Sequence, residues 1–300
     1  MGKKLNRKKA LVLSSGILDG AFQAGAIKRI FETGFRPDII AGNGIGALHT
    51  IFIASELGRT NNKISLNTIA KNLELFWRIK ISSSRDLLKR KSLLKLASQI
   101  LRKKFVSLYD TSELEEHVLS IIDVGNIHKS SIEAVIGAIN VFSGETEYFN
   151  LRSPYLIEAI FASYSLPFMM PYVFIENIPY LDAAERHIIP VRYLLENYDI
   201  SEMIIVLAHP TKLSYKKFNP GNLNQLIYRT KYITDNELLH RDLRFLKEKS
   251  KKIKLSYQII EPDKEANIDI TRFTKKQIEE VIDAGYRKAS EILEYSKTTI

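Results

Sequence analysis

The sequence predicts an α/β fold with a mostly parallel central sheet and helices on both faces. Two strand-like runs, Ala10–Leu13 and Asp38–Ala41, each lead into a turn of small residues and then into a helical pattern. Two later runs, Met203–Ala208 and Leu255–Ile260, are typical of buried strands. Strands that alternate with helices favour parallel pairing, because each helix returns the chain to the same end of the sheet.

The elements follow in chain order. The first strand precedes a helical pattern over Ala21–Phe31, and the second precedes one over Ala47–Leu57. Ser143 and Gly144 lie between Ile132–Val141 and Glu147–Leu151, which predicts a β-hairpin. The last predicted element is a helix over Asp269–Tyr295, whose core-facing residues are Ile278, Val281, Ile282, Ala289 and Ile292.

We expect one domain over residues 1–300, because no internal repeat and no linker-like stretch interrupts this pattern. Its core is expected at about 9–210, with the C-terminal strand and helix at about 255–295. No run approaches the roughly 18 apolar residues of a membrane-spanning helix. The apolar run behind the basic N-terminus is cut by Ser14-Ser15-Gly16, so we expect no signal peptide.

Composition favours an anionic partner. The chain has 44 basic and 34 acidic residues, a net charge of +10, and both lipid head groups and nucleic acid are anionic. It contains no cysteine, which fits the cytoplasm, with peripheral membrane association as an open alternative. The six histidines show no metal-ligand spacing, so we expect no metal and no cofactor.

The segment 85–104 carries most of this excess charge. It holds eight basic residues and one acidic residue, Asp86. Its apolar residues recur at roughly helical spacing: Leu87, Leu88, Leu94, Leu101 and Phe105. One interpretation is a solvated helix in which these residues form a core-facing stripe; the other is an amphipathic helix that rests on an anionic membrane. Nucleic acid is not expected, because no aromatic residues lie between the cations to stack on bases. The candidate membrane-facing residues are Lys89, Arg90, Lys91, Lys95, Arg102, Lys103 and Lys104.

The residues Gly42-Asn43-Gly44-Ile45-Gly46 form a turn between a predicted strand and a predicted helix. Serine hydrolases often carry Gly-x-Ser-x-Gly at such a turn, since small flanking residues let the chain hold the serine clear of the sheet. Here the middle position is Gly44, which has no nucleophilic hydroxyl.

Three segments together resemble the patatin-like phospholipases. The first, Ser14-Ser15-Gly16-Ile17-Leu18-Asp19-Gly20, resembles their opening Gly-rich loop. The second is the turn around Gly44 with the preceding Pro37-Asp38. The third runs from Ala162 to Pro167 and continues with Tyr180-Leu181-Asp182-Ala183-Ala184 and Pro190, resembling the segment that ends at their catalytic aspartate. The order and spacing match over most of the first 210 residues.

The resemblance implies an α/β sandwich with a Ser–Asp dyad that cleaves acyl esters of lipids without a metal. It places Gly44 at the nucleophile position and makes Asp182 the dyad aspartate. It also implies an oxyanion loop, whose residues here are Ser15, Gly16, Ile17, Asp19 and Gly20. Ile17 narrows the approach to the loop amides, and Asp19 puts a negative charge where the family carries a cation. Ala183-Ala184 also departs from the usual pattern after the aspartate.

We therefore expect a catalytically inactive pseudo-lipase, because loss of a serine nucleophile costs on the order of 10⁶ in kcat. Its role would be to bind a lipid, an anionic membrane surface or an active paralogue that it regulates. The alternative is an acyl-ester hydrolase in which Asp182 activates a water molecule in the space that the serine would fill. Ser14 and Ser15 are expected to face away from an attacking position, and His49 is expected to pack in the core.

Overall fold

The computed structural model describes residues 7–81, 89–215, 217, 219, 221–266 and 273–298, the last four of them as backbone only. The strands are β1 (Lys8–Leu13), β2 (Ile39–Gly42), β3 (Lys89–Arg90), β4 (Tyr109–Asp110), β5 (Glu133–Asn140), β6 (Thr146–Asn150), β7 (Val173–Ile175), β8 (Ile178–Asp182), β9 (Ile200–Val206) and β10 (Ser256–Ile260). The helices are α1 (Gly20–Glu32), α2 (Ile45–Arg59), α3 (Leu66–Lys80), α4 (Leu93–Leu101), α5 (Ser112–Ile121), α6 (Val124–Ile127), α7 (Leu156–Ser163), α8 (Val191–Asn197), α9 (Leu223–Ile253) and α10 (Lys275–Thr298). A 3₁₀ turn follows β8 at Ala183–Glu185.

The main sheet has the strand order β10-β9-β1-β2-β5-β8-β7, and β6 also pairs with β5. The strands from β10 to β5 run parallel, while β8, β7 and β6 are antiparallel additions. Leu13 pairs with Gly42 on one side and with Val206 on the other. The carboxyl ends of the three central strands therefore meet at one edge, where parallel sheets usually carry their functional site.

The central strands are buried on both faces. Leu11, Leu13 and Ile40 contact one apolar core, which also takes in residues of α1, α2, α3, α7 and α10. Ala10, Val12 and Ile39 point into a second core with residues of α8 and α9. Alternate side chains along a strand face opposite sides, so apolar residues at successive positions need helices on both faces.

The structure confirms the mixed α/β class with a mostly parallel sheet. The hairpin around Ser143-Gly144 and the strands at β9 and β10 also lie where the sequence predicts them. In the C-terminal helix, Ile278, Ile282 and Ala289 are buried as expected, while Asp269–Arg272 lie outside the described residues. Among the described residues, no helix combines the length and apolar character needed to cross a membrane.

The fold contains helices that the sequence did not predict (α3, α5, α6, α7, α8 and α9), and it contradicts one of the two interpretations of the basic segment. Helix α9 was not predicted, because most of its residues are polar and only a few, such as Leu239 and Leu246, are buried and apolar. In the basic segment, the interpretation as a solvated helix with a core-facing stripe is wrong for Leu94 and Leu101, while Phe105 is half-buried. Leu94 and Leu101 are 85% and 84% exposed, and α4 contributes only Leu96 to the buried set. Leu87 and Leu88 lie outside the described residues.

Helices α1 and α10 cross at a point where each has a glycine. A Cβ atom on Gly25 would lie 1.9 Å from the carbonyl oxygen of Ile282, and one on Gly285 would lie 2.0 Å from that of Phe22. No L side chain fits at such distances from backbone atoms, so the two helix backbones approach as closely as they do only because both positions are glycine.

We expect Gly25→Ala and Gly285→Ala each to lower the free energy of unfolding by roughly 1–3 kcal/mol, because the added methyl group forces the helices apart. Urea denaturation measures the change. Gly125→Ala is the matched control: this exposed helical glycine would place its Cβ no closer than 3.2 Å to a neighbour, the side chain of Asp123. Equal stability in all three variants would show that the crossing tolerates the extra atom.

Candidate active site

The candidate site lies at the carboxyl ends of β1 and β2, where Gly44 forms the turn into α2. Gly44 has φ +56° and ψ −131°, a backbone conformation that residues other than glycine adopt only with strain. Gly42 and Gly46, on either side, must also be glycine, because a Cβ atom at either position would collide with backbone atoms. A Cβ on Gly42 would lie 2.2 Å from the carbonyl oxygen of Gly46, and one on Gly46 would lie 2.6 Å from that of Leu13. The sequence therefore builds the sharp strand-to-helix turn of a nucleophile elbow.

The side chain of Ser15 occupies the space above Gly44. A Cβ atom built on Gly44 would lie 2.1 Å from Ser15 Oγ and 2.8 Å from Ser15 Cβ. The Ser15 hydroxyl donates a hydrogen bond of 3.0 Å to Asp182 Oδ2. The expectation that Ser15 faces away is therefore wrong: without a side chain at position 44, its hydroxyl turns towards the aspartate. The space in which a water molecule was expected is filled by Ser15.

Asp182 is held at the end of β8, beside the turn, as the resemblance implies. Its Oδ1 accepts a hydrogen bond of 2.8 Å from the amide of Ala184, so both oxygens of the carboxyl group have partners. Only 3% of the residue is exposed. Burial raises the pKa of Asp182 to about 7, although the nearby charge of Lys231 acts in the opposite direction. The carboxyl group is therefore partly protonated at neutral pH.

Asp19 fixes the Gly-rich loop through a hydrogen bond to one of its backbone amides. Asp19 Oδ1 accepts a hydrogen bond of 2.8 Å from the amide of Ile17, so this loop amide already has an acceptor. Asp19 Oδ2 accepts a hydrogen bond of 2.7 Å from the hydroxyl of Tyr232 and lies 2.5 Å from Nδ1 of His209. Gly16 and Gly20 pack tightly, against Ala208 and Ile45 respectively. The loop is therefore fixed by its own contacts.

Asp19 and His209 form a buried ion pair. Burial alone would raise the pKa of Asp19, but the charge of His209 and the hydrogen bonds from His209, Tyr232 and the amide of Ile17 together lower the pKa. Burial alone would lower the pKa of His209, but the charge and hydrogen bond of Asp19, with the charge of Asp235, together raise it. The negative charge that the sequence places near the oxyanion site therefore lies beside the ring of His209 and favours its protonated form, a partner that the sequence motifs did not identify.

A second cation comes from α9. Lys231 Nζ lies 3.0 Å from Glu185 Oε1 and 2.5 Å from Asp235 Oδ1. Burial would lower the pKa of Lys231, but the charges of Asp235, Glu185 and Asp182 raise it. Helix α9 thus supplies Tyr232, Lys231 and Asp235 to the site. No local sequence motif identifies these three residues as part of the site. The only signal in the sequence is their polar character within a long helix.

A small apolar cavity of about 40 Å³ adjoins the turn and the loop. Its wall includes Ile17, Ile45, Trp77, Ile81, Tyr164 and Met170. Cavities that hold drug-sized ligands are roughly 300–1,000 Å³, so the cavity as it stands is too small for a lipid chain. Ile17 and Ile45 form the part of the wall next to the elbow.

His49 lies in the core, as the sequence analysis expects. It is fully buried, and its Nδ1 lies 3.0 Å from Gln23 Oε1. Trp77 Nε1 donates a hydrogen bond of 2.9 Å to His49 Nε2, which makes Nε2 the acceptor and leaves the proton on Nδ1. Burial lowers the pKa of His49 to about 3, so the ring is neutral and serves packing.

We expect Gly44→Ser alone to destabilise the protein, because the new side chain would collide with Ser15 and take up a strained backbone conformation. Ser15→Gly in the same chain should recover part of the loss, with a coupling energy of roughly 0.5–3 kcal/mol in a double-mutant cycle. Urea denaturation of the four proteins measures it. Additive effects would mean that the two side chains do not compete for one space.

We expect Asp182→Asn to change how stability depends on pH. The pKa of Asp182 is about 7 in the folded state and 3.8 for an exposed aspartate, so between these pH values the folded state binds more protons than the unfolded state. Ionisation of the buried Asp182 therefore costs no stability below pH 3.8. The cost grows as the pH rises and is complete above pH 7. The variant should therefore gain stability over the wild type by up to about 1.4 kcal/mol per pH unit in this window.

Chemical denaturation between pH 4 and pH 8 tests this prediction. Glu196→Gln on the exposed side of α8 is the control carboxylate, for which we expect little change with pH. Parallel stability profiles for wild type and Asp182→Asn would contradict the raised pKa of Asp182.

Comparison with known proteins places this geometry in a family. The sequence model described as Patatin-like phospholipase matches residues 11–199. No curated protein sequence matches the chain. Among solved structures, VipD from Legionella pneumophila is similar with a TM-score of 0.46 and 11% sequence identity, over 96% of this chain and 67% of that chain. The family match spans more than half of the chain and includes the Gly-rich loop, the elbow and Asp182, so the chain belongs to the patatin-like phospholipase family.

Proposed function

We propose that the protein is a catalytically silent member of its family, a pseudo-lipase that acts by binding lipid. Membership of the family gives the chain a lipid-hydrolase fold. One observation carries the proposal that the protein is catalytically silent. Gly44 has no side-chain oxygen, and a Cβ atom at this position would lie 2.1 Å from Ser15 Oγ. An acyl–enzyme ester cannot form at the elbow, and no substrate carbonyl can take the position that Ser15 fills.

The supporting contacts act in the same direction. The amide of Ile17 already donates to Asp19, so it is not free to stabilise an oxyanion. Loss of a serine nucleophile costs on the order of 10⁶ in kcat, or roughly 8 kcal/mol of barrier. Restoring the serine by Gly44→Ser alone would leave Asp19 and Ile17 in place, so it would restore little of that rate.

The binding role rests on the apolar cavity and on the charge of the chain. The cavity wall beside the elbow is almost entirely apolar, which suits an acyl chain once the wall moves outwards. The net charge of +10 favours an anionic lipid. Binding to an active paralogue, which the protein would then regulate, is compatible with the same preserved fold.

A second candidate function follows from one contact. Ser15 Oγ and Asp182 Oδ2 are 3.0 Å apart, and burial brings the pKa of Asp182 to about 7, close to that of an effective general base. In this reaction Ser15 Oγ would bond to the acyl carbon, and its proton would pass through Asp182 to the leaving alcohol. Water would then hydrolyse the ester, with Asp182 as the base. Both residues are buried, which disfavours this route.

We expect the wild-type protein to hydrolyse p-nitrophenyl butyrate and phosphatidylcholine no faster than the blank, because no nucleophile stands at the elbow. It should also remain unlabelled by a fluorophosphonate probe, as judged by intact-protein mass spectrometry. Ser15→Ala and Asp182→Asn, purified in the same way, control for contaminating esterase, whose activity would be equal in all three samples. Turnover and labelling of Ser15 that both variants lose would refute silence and establish the second candidate.

A further inference from the structure

Helix α4 presents an apolar face to solvent. Its exposed apolar residues are Leu93, Leu94, Ala97, Ile100 and Leu101. At 100° per residue these five positions fall within about 120° of the helix circumference, so they form one continuous stripe. Only Leu96 of this helix is buried. An amphipathic helix normally turns such a stripe towards the core, and here it faces away.

The segment that contains this stripe is strongly basic. Residues 89–104 contain seven basic side chains and no acidic one: Lys89, Arg90, Lys91, Lys95, Arg102, Lys103 and Lys104. Lys95 lies about 160° around the helix from the centre of the stripe, so α4 has an apolar side and a charged side. Lys91 Nζ donates to Ser107 Oγ at 2.6 Å, and the charge of Asp110 also acts on Lys91. Lys103 has a left-handed backbone conformation, and the amide of Lys104 bonds to the carbonyl oxygen of Gln99, which ends α4.

The same unit is joined to the wall of the cavity. Strand β3 pairs with β4, which follows α4, and the amides of Leu108 and Tyr109 donate to the carbonyl oxygens of Phe168 and Met169. The next residue, Met170, lines the cavity beside the elbow. Phe168 is itself exposed and adds an aromatic ring to this side of the protein.

We infer that α4 is a docking surface for anionic lipid bilayers, with its leucines in the boundary between head groups and acyl chains. The combination of an apolar stripe with a basic segment around it in the sequence fits that surface, because burial of the stripe and attraction to anionic head groups act together. A second copy of this chain would bring two clusters of seven like charges together. Nucleic acid would leave the aliphatic stripe exposed to water.

This inference rests on the proposed lipid-binding role and names the lipid surface for it. The two can fail separately. Ester hydrolysis reports on the elbow, and the difference in vesicle binding between the wild type and the α4 variants reports on α4.

Co-sedimentation with phosphatidylcholine vesicles, with and without phosphatidylserine, tests the inference. We expect binding to the anionic vesicles that weakens as salt rises, since the attraction is screened. The triple variant Lys95→Gln, Arg102→Gln and Lys103→Gln should bind on the order of 100-fold more weakly, at about fivefold per cation. Leu94→Ser with Leu101→Ser should also weaken binding, and both side chains are exposed, so folding is retained.

Two controls match these variants. Lys251→Gln with Lys252→Gln removes exposed cations at the end of α9, and Phe142→Ser removes an exposed apolar side chain at the hairpin; neither should change vesicle binding by much. Equal binding to neutral and anionic vesicles would remove the electrostatic argument. Absence of binding would overturn the inference. Self-association or RNA binding that only the α4 variants lose, without vesicle binding, would assign the surface to that partner instead.

Discussion

The hydrogen bond from Ser15 to Asp182 connects the end of β1 with the end of β8, two segments that are 167 residues apart. It exists because position 44 has no side chain: a Cβ there would overlap Ser15 Oγ at 2.1 Å. Ser15 satisfies one oxygen of a buried carboxyl group, which would otherwise lack a partner at a cost of about 1–3 kcal/mol. The missing side chain at position 44 and the filling of this space by Ser15 are therefore one structural feature.

The other departures from the family pattern support each other in the same way. A buried carboxylate at position 19 would be costly alone, and here it has His209, Tyr232 and the amide of Ile17 as partners. Two of these partners come from β9's outgoing loop and from α9, far from the Gly-rich loop in sequence. Lys231, on the same helix, balances the acidic residues next to Asp182. The charged groups Asp19, His209, Lys231 and Asp235 therefore each have a partner of opposite charge within the site.

The sequence allowed the central sheet to be predicted because apolar runs and glycine turns report local structure. The resemblance to the patatin-like phospholipases also predicted that Gly44 and Asp182 lie at one site, and Ser15 lies against both. The sequence could not reveal the orientation of Ser15, because this orientation depends on the missing side chain of Gly44, which lies nearly thirty positions away in the chain. Nor could it identify His209 or Tyr232, because their contacts are non-local and polar. For α4, periodicity predicted an amphipathic helix, but periodicity alone cannot tell whether the apolar stripe faces the core or the solvent.

Helix α4 turns little of its surface towards the core. Only Leu96 reaches the buried set, while Lys95 is exposed and lies about 160° around the helix from the centre of the apolar stripe. A partner that covered the stripe would therefore leave Lys95 in water, so burial of these apolar side chains would not require this cation to lose its hydration. The amides of Leu108 and Tyr109 donate to the carbonyl oxygens of Phe168 and Met169, so the unit that carries α4 is joined through the chain to Met170 in the wall of the cavity.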